Sequence, residues 1–268
     1  MDSPLSSTPT SEIVSERISE KAPPLPHPLN IAHRGASAYA PENTLASIQK
    51  AMDMGADIIE LDLHQTKDGV PVVLHDTSLW RTAGIRRNVG SLTLKEIQKL
   101  DVGRWFNPKF ENQRIPTLQE VLEMVQDRVT LNLELKQGTS PYPNFTDNII
   151  HLLNQCHLFS KTLISSFHHG TIQRIRKDFP EAFLGYLSHR EATSKIFSSA
   201  IDLKAYSLHI PFRKISPALL DKSHSRGFQV FCYTVNHPDE MKRFLKMGVD
   251  GLFTNYPDRL AKLITESI

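Results

Sequence analysis

Ile58-Ile59-Glu60-Leu61-Asp62-Leu63-His64-Gln65-Thr66-Lys67-Asp68-Gly69-Val70-Pro71-Val72-Val73-Leu74-His75 holds two strand-like runs separated by a turn signal. Side chains alternate along a strand with period two, so Glu60 and Asp62 share one face while Leu61 and Leu63 occupy the other. Lys67-Asp68-Gly69 leaves no room for a helix, and the chain must turn back on itself as a hairpin. With the turn centred on Asp68-Gly69, His75 returns to lie near Glu60.

Working outward, short apolar strands are expected near residues 29–34, 57–63, 129–135, 162–166, 182–187, 205–209, 228–234 and 250–253. Amphipathic helices are expected near 43–54, 117–126, 145–155, 169–178, 190–199, 215–225 and 238–246. Strands alternating with helices imply a parallel sheet, and eight such units imply closure into a (β/α)8 barrel, the TIM-barrel α/β class. The antiparallel return strand after the second barrel strand stands outside the eight. Residues 76–116 break the repeat and read as a small inserted lid with one helix near 93–99; a long connection of this kind in a compact domain is usually functional. Residues 1–28 are rich in Ser, Thr, Glu and Pro and nearly lack aromatics. They read as a disordered tail, unable to bury enough apolar surface to offset ordering entropy. The barrel domain then spans 29–268.

A chain of 268 residues with 40% hydrophobic and 22% charged residues suits one barrel, a fold that commonly takes about 250 residues. A net charge of +2 with dispersed basic residues argues against a nucleic-acid partner. Two cysteines, Cys156 and Cys232, make no disulfide framework and read as buried small hydrophobes in a reducing compartment. No run approaches the roughly 20 apolar residues of a membrane span, and no leader pattern is evident. A cytoplasmic protein is therefore expected.

In a barrel the helix-facing positions are apolar, so Glu60 and Asp62 face inward. The strand Leu131-Asn132-Leu133-Glu134-Leu135-Lys136 repeats the pattern, with Asn132, Glu134 and Lys136 on one face. Buried carboxylates repel one another and lose solvation unless compensated. Glu60, Asp62 and Glu134 together suit a hard divalent cation, Ca²⁺ or Mg²⁺. Taken alone, Glu60-Leu61-Asp62 would read as an ordinary solvent-facing edge. Lys136 sits one layer higher, as an anion contact, a partner of Glu134, or both. The first strand ends His33-Arg34-Gly35. Arg34 offers a planar fork suited to phosphate oxygens, and His33 titrates near neutrality. A surface turn is the bland reading, but catalytic groups of this fold lie at the C-terminal strand ends. His75 has a local strand-end reading too, opposed by the hairpin that returns it to the acidic pair. Two histidines, three carboxylates, one Arg and one Lys at neighbouring strand ends suit phosphodiester cleavage. Tyr233, Trp105, Phe106 and Phe110 are candidates for an apolar cleft wall, with core packing the competing reading. His64 and the pair His168-His169 read as structural.

The sequence resembles the glycerophosphodiester phosphodiesterase family. Matching segments include His33-Arg34-Gly35, Pro41-Glu42-Asn43-Thr44, Gly55-Ala56-Asp57-Ile58-Ile59-Glu60-Leu61-Asp62, Val73-Leu74-His75-Asp76, Leu133-Glu134-Leu135-Lys136 and Asp250-Gly251-Leu252-Phe253-Thr254. They occur in family order and span essentially residues 29–258. The resemblance implies a barrel with a small insertion and a bound Ca²⁺ or Mg²⁺. It implies metal ligation by Glu60, Asp62 and Glu134, acid/base work by His33 and His75, and phosphate contact by Arg34 and Lys136. It also implies hydrolysis of glycerophosphodiesters to glycerol 3-phosphate and an alcohol. Two positions depart from the pattern: Tyr233 stands where the family often has Trp, and Asn255 where it often has Asp. Glu42 is expected to support the site or cap a helix.

Three other functions compete. A phosphodiesterase acting on lysophospholipids would need a long apolar groove near Trp105, Phe106 and Phe110. A catalytically silent anion-binding barrel would have no need of both histidines. An interaction module working through the tail finds little support in so featureless a segment.

Overall fold

The computed structural model describes residues 28–138 and 141–266. Apart from Pro28, the expected disordered tail over residues 1–28 lies outside the described residues.

The chain opens with β1 (Leu29–His33), α1 (Leu45–Asp53), β2 (Ile58–Gln65) and β3 (Pro71–Val73). An excursion with α2 (Trp80–Ala83) and α3 (Leu94–Ile97) follows, then α4 (Leu118–Val125) and β4 (Thr130–Leu135). The rest runs α5 (Phe145–Gln155), β5 (Thr162–Ser166), α6 (His169–Asp178), β6 (Phe183–Leu187), α7 (Thr193–Asp202) and β7 (Ser207–Pro211). It ends with α8 (Pro217–His224), β8 (Gln229–Tyr233), α9 (Pro238–Met247), β9 (Gly251–Thr254) and α10 (Pro257–Thr265).

The sheet runs β1-β9-β8-β7-β6-β5-β4-β2, and β1 also pairs with β2, so eight parallel strands close into a barrel. Antiparallel β3 lies outside the ring on β2, in the register Leu63↔Val73 and His64↔Val72. The fold is the expected one. Helix α10, absent from the sequence expectation, supplies the last unit; Leu260, Leu263 and Ile264 form its buried stripe.

Register carries the site. Glu60 pairs with Asn132 and Asp62 with Glu134 across β2 and β4, while His33 pairs with Glu60 across β1 and β2. Parallel neighbours in register present like-facing side chains at one level, so the inward polar residues of three strands meet. Their outward partners Leu61, Leu63, Leu131, Leu133 and Leu135 join the large core beneath the helices. A smaller cluster of Leu29, Ile31, Ile58, Leu163, Phe183, Phe231 and Phe253 fills the barrel itself.

Several helix starts are set locally. Thr44, Thr93 and Thr117 form capping boxes with Ser47, Glu96 and Glu120, each satisfying orphan N–H groups of a first turn. The excursion has its own apolar cluster, including Val72, Leu79, Val89, Leu92, Ile97, Val102 and Ile115. Of the cysteines, Cys232 is buried as expected, whereas Cys156 is only half-buried at the end of α5; both are free thiols. Among the described residues no helix is long and apolar enough to cross a membrane.

Candidate active site

His33, Arg34, Glu60, His75, Asn132, Glu134 and Lys136 line one cavity of about 200 Å³ at the C-terminal end of the barrel strands. Asp62 lies buried just behind it, 1% exposed, and meets Lys136 Nζ at 2.9 Å. The structure therefore brings all seven expected residues together.

Glu60, Asp62 and Glu134 each offer one carboxylate oxygen within 4.8 Å of the others, and all three are buried. Asp62 is held on several sides. Its Oδ2 accepts from Asn43 Nδ2 at 2.8 Å and lies 3.3 Å from Arg34 Nε, and its Oδ1 faces Lys136. Burial would raise its pKa, but Lys136 and then Arg34 hold it far below the usual carboxylate range. Among the described residues Glu60 accepts only the Arg34 backbone N–H, at 3.0 Å; burial, then Asp62 and Glu134, push it well up. Glu134 bonds Lys136, yet burial and Asp62 raise it to about 7. Three buried carboxylates face two half-buried cations, Arg34 and Lys136, and the two acids with raised pKa values mark where positive charge is short. This donor set fits a hard divalent cation.

Arg34 adopts the left-handed region, φ 57°, immediately before Gly35 at φ 78°. Its carbonyl accepts from Asn43 N at 3.0 Å and Ser47 Oγ at 3.1 Å, which anchors the turn. Its guanidinium bonds Glu42 through Nη1 at 3.0 Å, while buried Nε has no aligned acceptor. A buried donor left unsatisfied beside a cavity suits an oxyanion. Glu42 thus supports Arg34, and the cap of α1 belongs to Thr44.

His33 Nδ1 faces the Asn255 amide oxygen at 2.8 Å and donates to it. Its Nε2 therefore carries the lone pair. Burial, then Arg34, lower its pKa to about 4. The β2–β3 pairing continues through Leu74, whose N–H donates to the Asp62 carbonyl at 2.9 Å, and so delivers His75 beside the carboxylates. His75 Nδ1 bonds Asp76 Oδ1 at 2.7 Å. Burial lowers its pKa, opposed first by Asp62 and also by Asp76.

His64 is structural, as expected: Nδ1 meets Tyr142 Oη at 2.8 Å and Nε2 the His75 carbonyl at 3.1 Å, which holds the end of the return strand. His168 and His169 stand at the start of α6, with His169 stacked on Tyr186. The apolar wall is formed by Phe167, Leu187, Tyr233 and Phe253. Tyr233 was anticipated. Trp105, Phe106 and Phe110 instead pack edge to face on one another and do not line this cavity. Phe167, Leu187 and Phe253 were not legible as a wall because each comes singly from a different strand end. Ser165 and His209 complete the floor. Their signal was the same period-two alternation in β5 and β7, where isolated polar residues also read as ordinary variation.

A model of the glycerophosphoryl diester phosphodiesterase family matches residues 33–259. The chain belongs to this family. A glycerophosphodiester phosphodiesterase of Caldanaerobacter subterraneus subsp. tengcongensis is 39% identical over 237 residues, covering 88% of this chain and 97% of that protein. One from Bacillus altitudinis is 33% identical over 88% of this chain and 97% of its own length. An Oleispira antarctica phosphodiesterase, solved in complex with the product sn-glycerol-3-phosphate, superimposes with a TM-score of 0.83 at 29% identity, covering 89% of this chain and 97% of that one. Membership in the glycerophosphoryl diester phosphodiesterase family makes this chain an enzyme.

Proposed function

We propose that this cavity hydrolyses glycerophosphodiesters to glycerol 3-phosphate and an alcohol, with a divalent cation, Ca²⁺ or Mg²⁺, held by Glu60, Asp62 and Glu134. The observation that carries this reading is the convergence of three buried carboxylates, Asp62 just behind the wall, with two histidines, Arg34 and Lys136 around one cavity. The cation would supply charge neutralisation at the phosphate. Arg34 and Lys136, which both line the cavity, would orient the phosphate oxygens. A cavity of about 200 Å³ suits a small diester, and a cytoplasmic setting is proposed with it.

The two histidines differ in their partners, and this assigns their roles. His33 leans on a neutral amide and stays unprotonated, so its Nε2 takes the proton from the attacking hydroxyl. His75 leans on the Asp76 carboxylate, which steadies an imidazolium against the lowering by burial, so in this reading it carries the proton to the departing alcohol oxygen. With water attacking, a P–O bond forms as the P–O bond to the alcohol breaks. One proton moves to His33 and one leaves His75, so the step is balanced. The same pair serves if the glycerol's own hydroxyl attacks, which would give a cyclic phosphate first.

The test is turnover of glycerophosphocholine, followed by release of glycerol 3-phosphate, in chelator and after adding back Ca²⁺ or Mg²⁺. Chelation should abolish turnover and either ion should restore it. Full turnover in chelator would refute the metal site, and no turnover with any cation would favour a silent anion-binding barrel. Trp105, Phe106 and Phe110, where a lysophospholipid would need its groove, lie outside the lining of this cavity.

A further inference from the structure

Arg81 lies on α2 in the excursion and belongs to none of the expected site residues. Its Nε donates to Asp76 Oδ2 at 2.7 Å. Its Nη1 and Nη2 donate to the two oxygens of Glu42 at 2.9 and 2.6 Å. Each of these carboxylates already holds a cavity residue. The other oxygen of Asp76 accepts from His75 Nδ1, and Glu42 Oε1 also accepts from Arg34 Nη1. A continuous path thus runs His75–Asp76–Arg81–Glu42–Arg34, with Arg81 at its centre. The indole of Trp105 lies across the guanidinium, 5.6 Å from ring centroid to Cζ. That ring is itself fixed, because Trp105 Nε1 donates to the Val102 carbonyl at 2.8 Å and Phe106 packs edge-on at 5.8 Å.

We propose that Arg81 is a positioning residue that sets, through Asp76 and Glu42, the orientation of His75 and Arg34 together, so that the excursion tunes catalysis without touching substrate. This rests on the roles given above to His75 and Arg34. The geometry favours positioning over stability. The Arg81 side chain is 40% exposed, and ion pairs at such sites contribute little to folding. Each of its three nitrogens, however, donates to a carboxylate, and a planar fork with three directed bonds fixes two carboxylates in a way a point charge cannot. Asp76 and Glu42 are also like charges; without the guanidinium between them each is left to its single cavity partner, and the imidazole and the Arg34 fork can swing independently.

The experiment measures kcat and KM on glycerophosphocholine with saturating divalent cation, beside thermal melts, for Arg81→Met, Arg81→Lys, Asp76→Asn, Glu42→Gln, His75→Ala and the double variant Arg81→Met/Asp76→Asn. Arg81→Met should lower kcat by about tenfold or more, as expected for misplaced catalytic groups, and raise KM, with the melting midpoint close to wild type. The double variant should have a kcat no lower than the worse single variant, because both changes break one path. Arg81→Lys should recover only part of the loss. Wild-type kinetics in Arg81→Met, multiplicative losses in the double variant, or full recovery in Arg81→Lys would each overturn the proposal. His75→Ala separates the two levels of inference. If it is inactive while Arg81→Met is fully active, only the positioning role fails; if it keeps near-wild-type kcat, the reading of the site fails as well.

Discussion

Arg34 shows what the site asks of single residues. A non-glycine side chain in the left-handed region is uncommon and costs energy, yet here three contacts hold it: its N–H to Glu60, and its carbonyl to Asn43 and Ser47. The reward is a guanidinium aimed into the cavity with a donor to spare. The histidines can be tested at the same scale. His33→Ala and His75→Ala should each lower kcat by roughly 10²–10⁴-fold with a much smaller change in KM, since a positioned acid or base acts on the transition state. Metal should be titrated to saturation before His75→Ala is measured. Recovery at high metal would make His75 a ligand, and near-wild-type kcat would remove either residue from the mechanism. Asn132 was legible on the inward face it shares with Glu134 and Lys136, whereas Ser165 and His209 line the same cavity from two other strands, so no local pattern groups them.

At the scale of elements, the β1–α1 connection is a tight joint beside the site. A Cβ on Gly35 would lie 2.6 Å from Ser47 Oγ and 2.7 Å from the Ser47 carbonyl carbon, and the residue's φ of 78° is itself unfavourable for a side chain. Gly35→Ala should therefore cost about 1–3 kcal/mol of stability and, by shifting Arg34, lower kcat in the folded fraction. Urea denaturation and kcat on the same preparation check this; unchanged values for both would show that the turn can relax. The β2–β3 hairpin is the counterpart on the other side. Its turn and alternation were legible in residues 58–75 because turn chemistry and period-two patterning are local properties. The excursion after it was legible only as a break in the repeat, since nothing local shows that Arg81 bonds Asp76, five residues back, and Glu42, thirty-nine back.

For the whole molecule, burial of neutral imidazole couples folding to pH. His209 is fully buried in the barrel, Nε2 against Ser207 Oγ at 2.9 Å, and burial lowers its pKa from 6.5 to about 3. The unfolded chain takes up the proton below about 6.5 and the folded one does not until about 3, so this contribution is intact above that window and lost as pH falls through it. His64, lowered to about 4, acts in the same direction. Glu134 and Glu60, with raised pKa values, act in the opposite one, so the comparison must be differential. Between pH 7.5 and 5, wild type should lose about 2 kcal/mol more stability than His209→Asn. Equal losses in paired urea titrations would show that His209 is protonated, or the protein relaxed, in the folded state at pH 5.

The sequence by itself determined the barrel and the inward acidic set. Alternation in 58–63 and 131–136 assigns Glu60, Asp62 and Glu134 to the face opposite their leucines whatever lies across from them, and eight strand–helix units leave closure as the way to bury both faces. Only the tertiary structure decided who supports whom. The amide behind His33 comes from residue 255, the carboxylate behind Arg34 from residue 42, and the apolar wall from the ends of β5, β6, β8 and the strand β9. Those pairings depend on the stagger of closed strands and on where the excursion folds back, and both are set by long-range packing. The period of a strand says which way a side chain points; it carries no information about what it will meet.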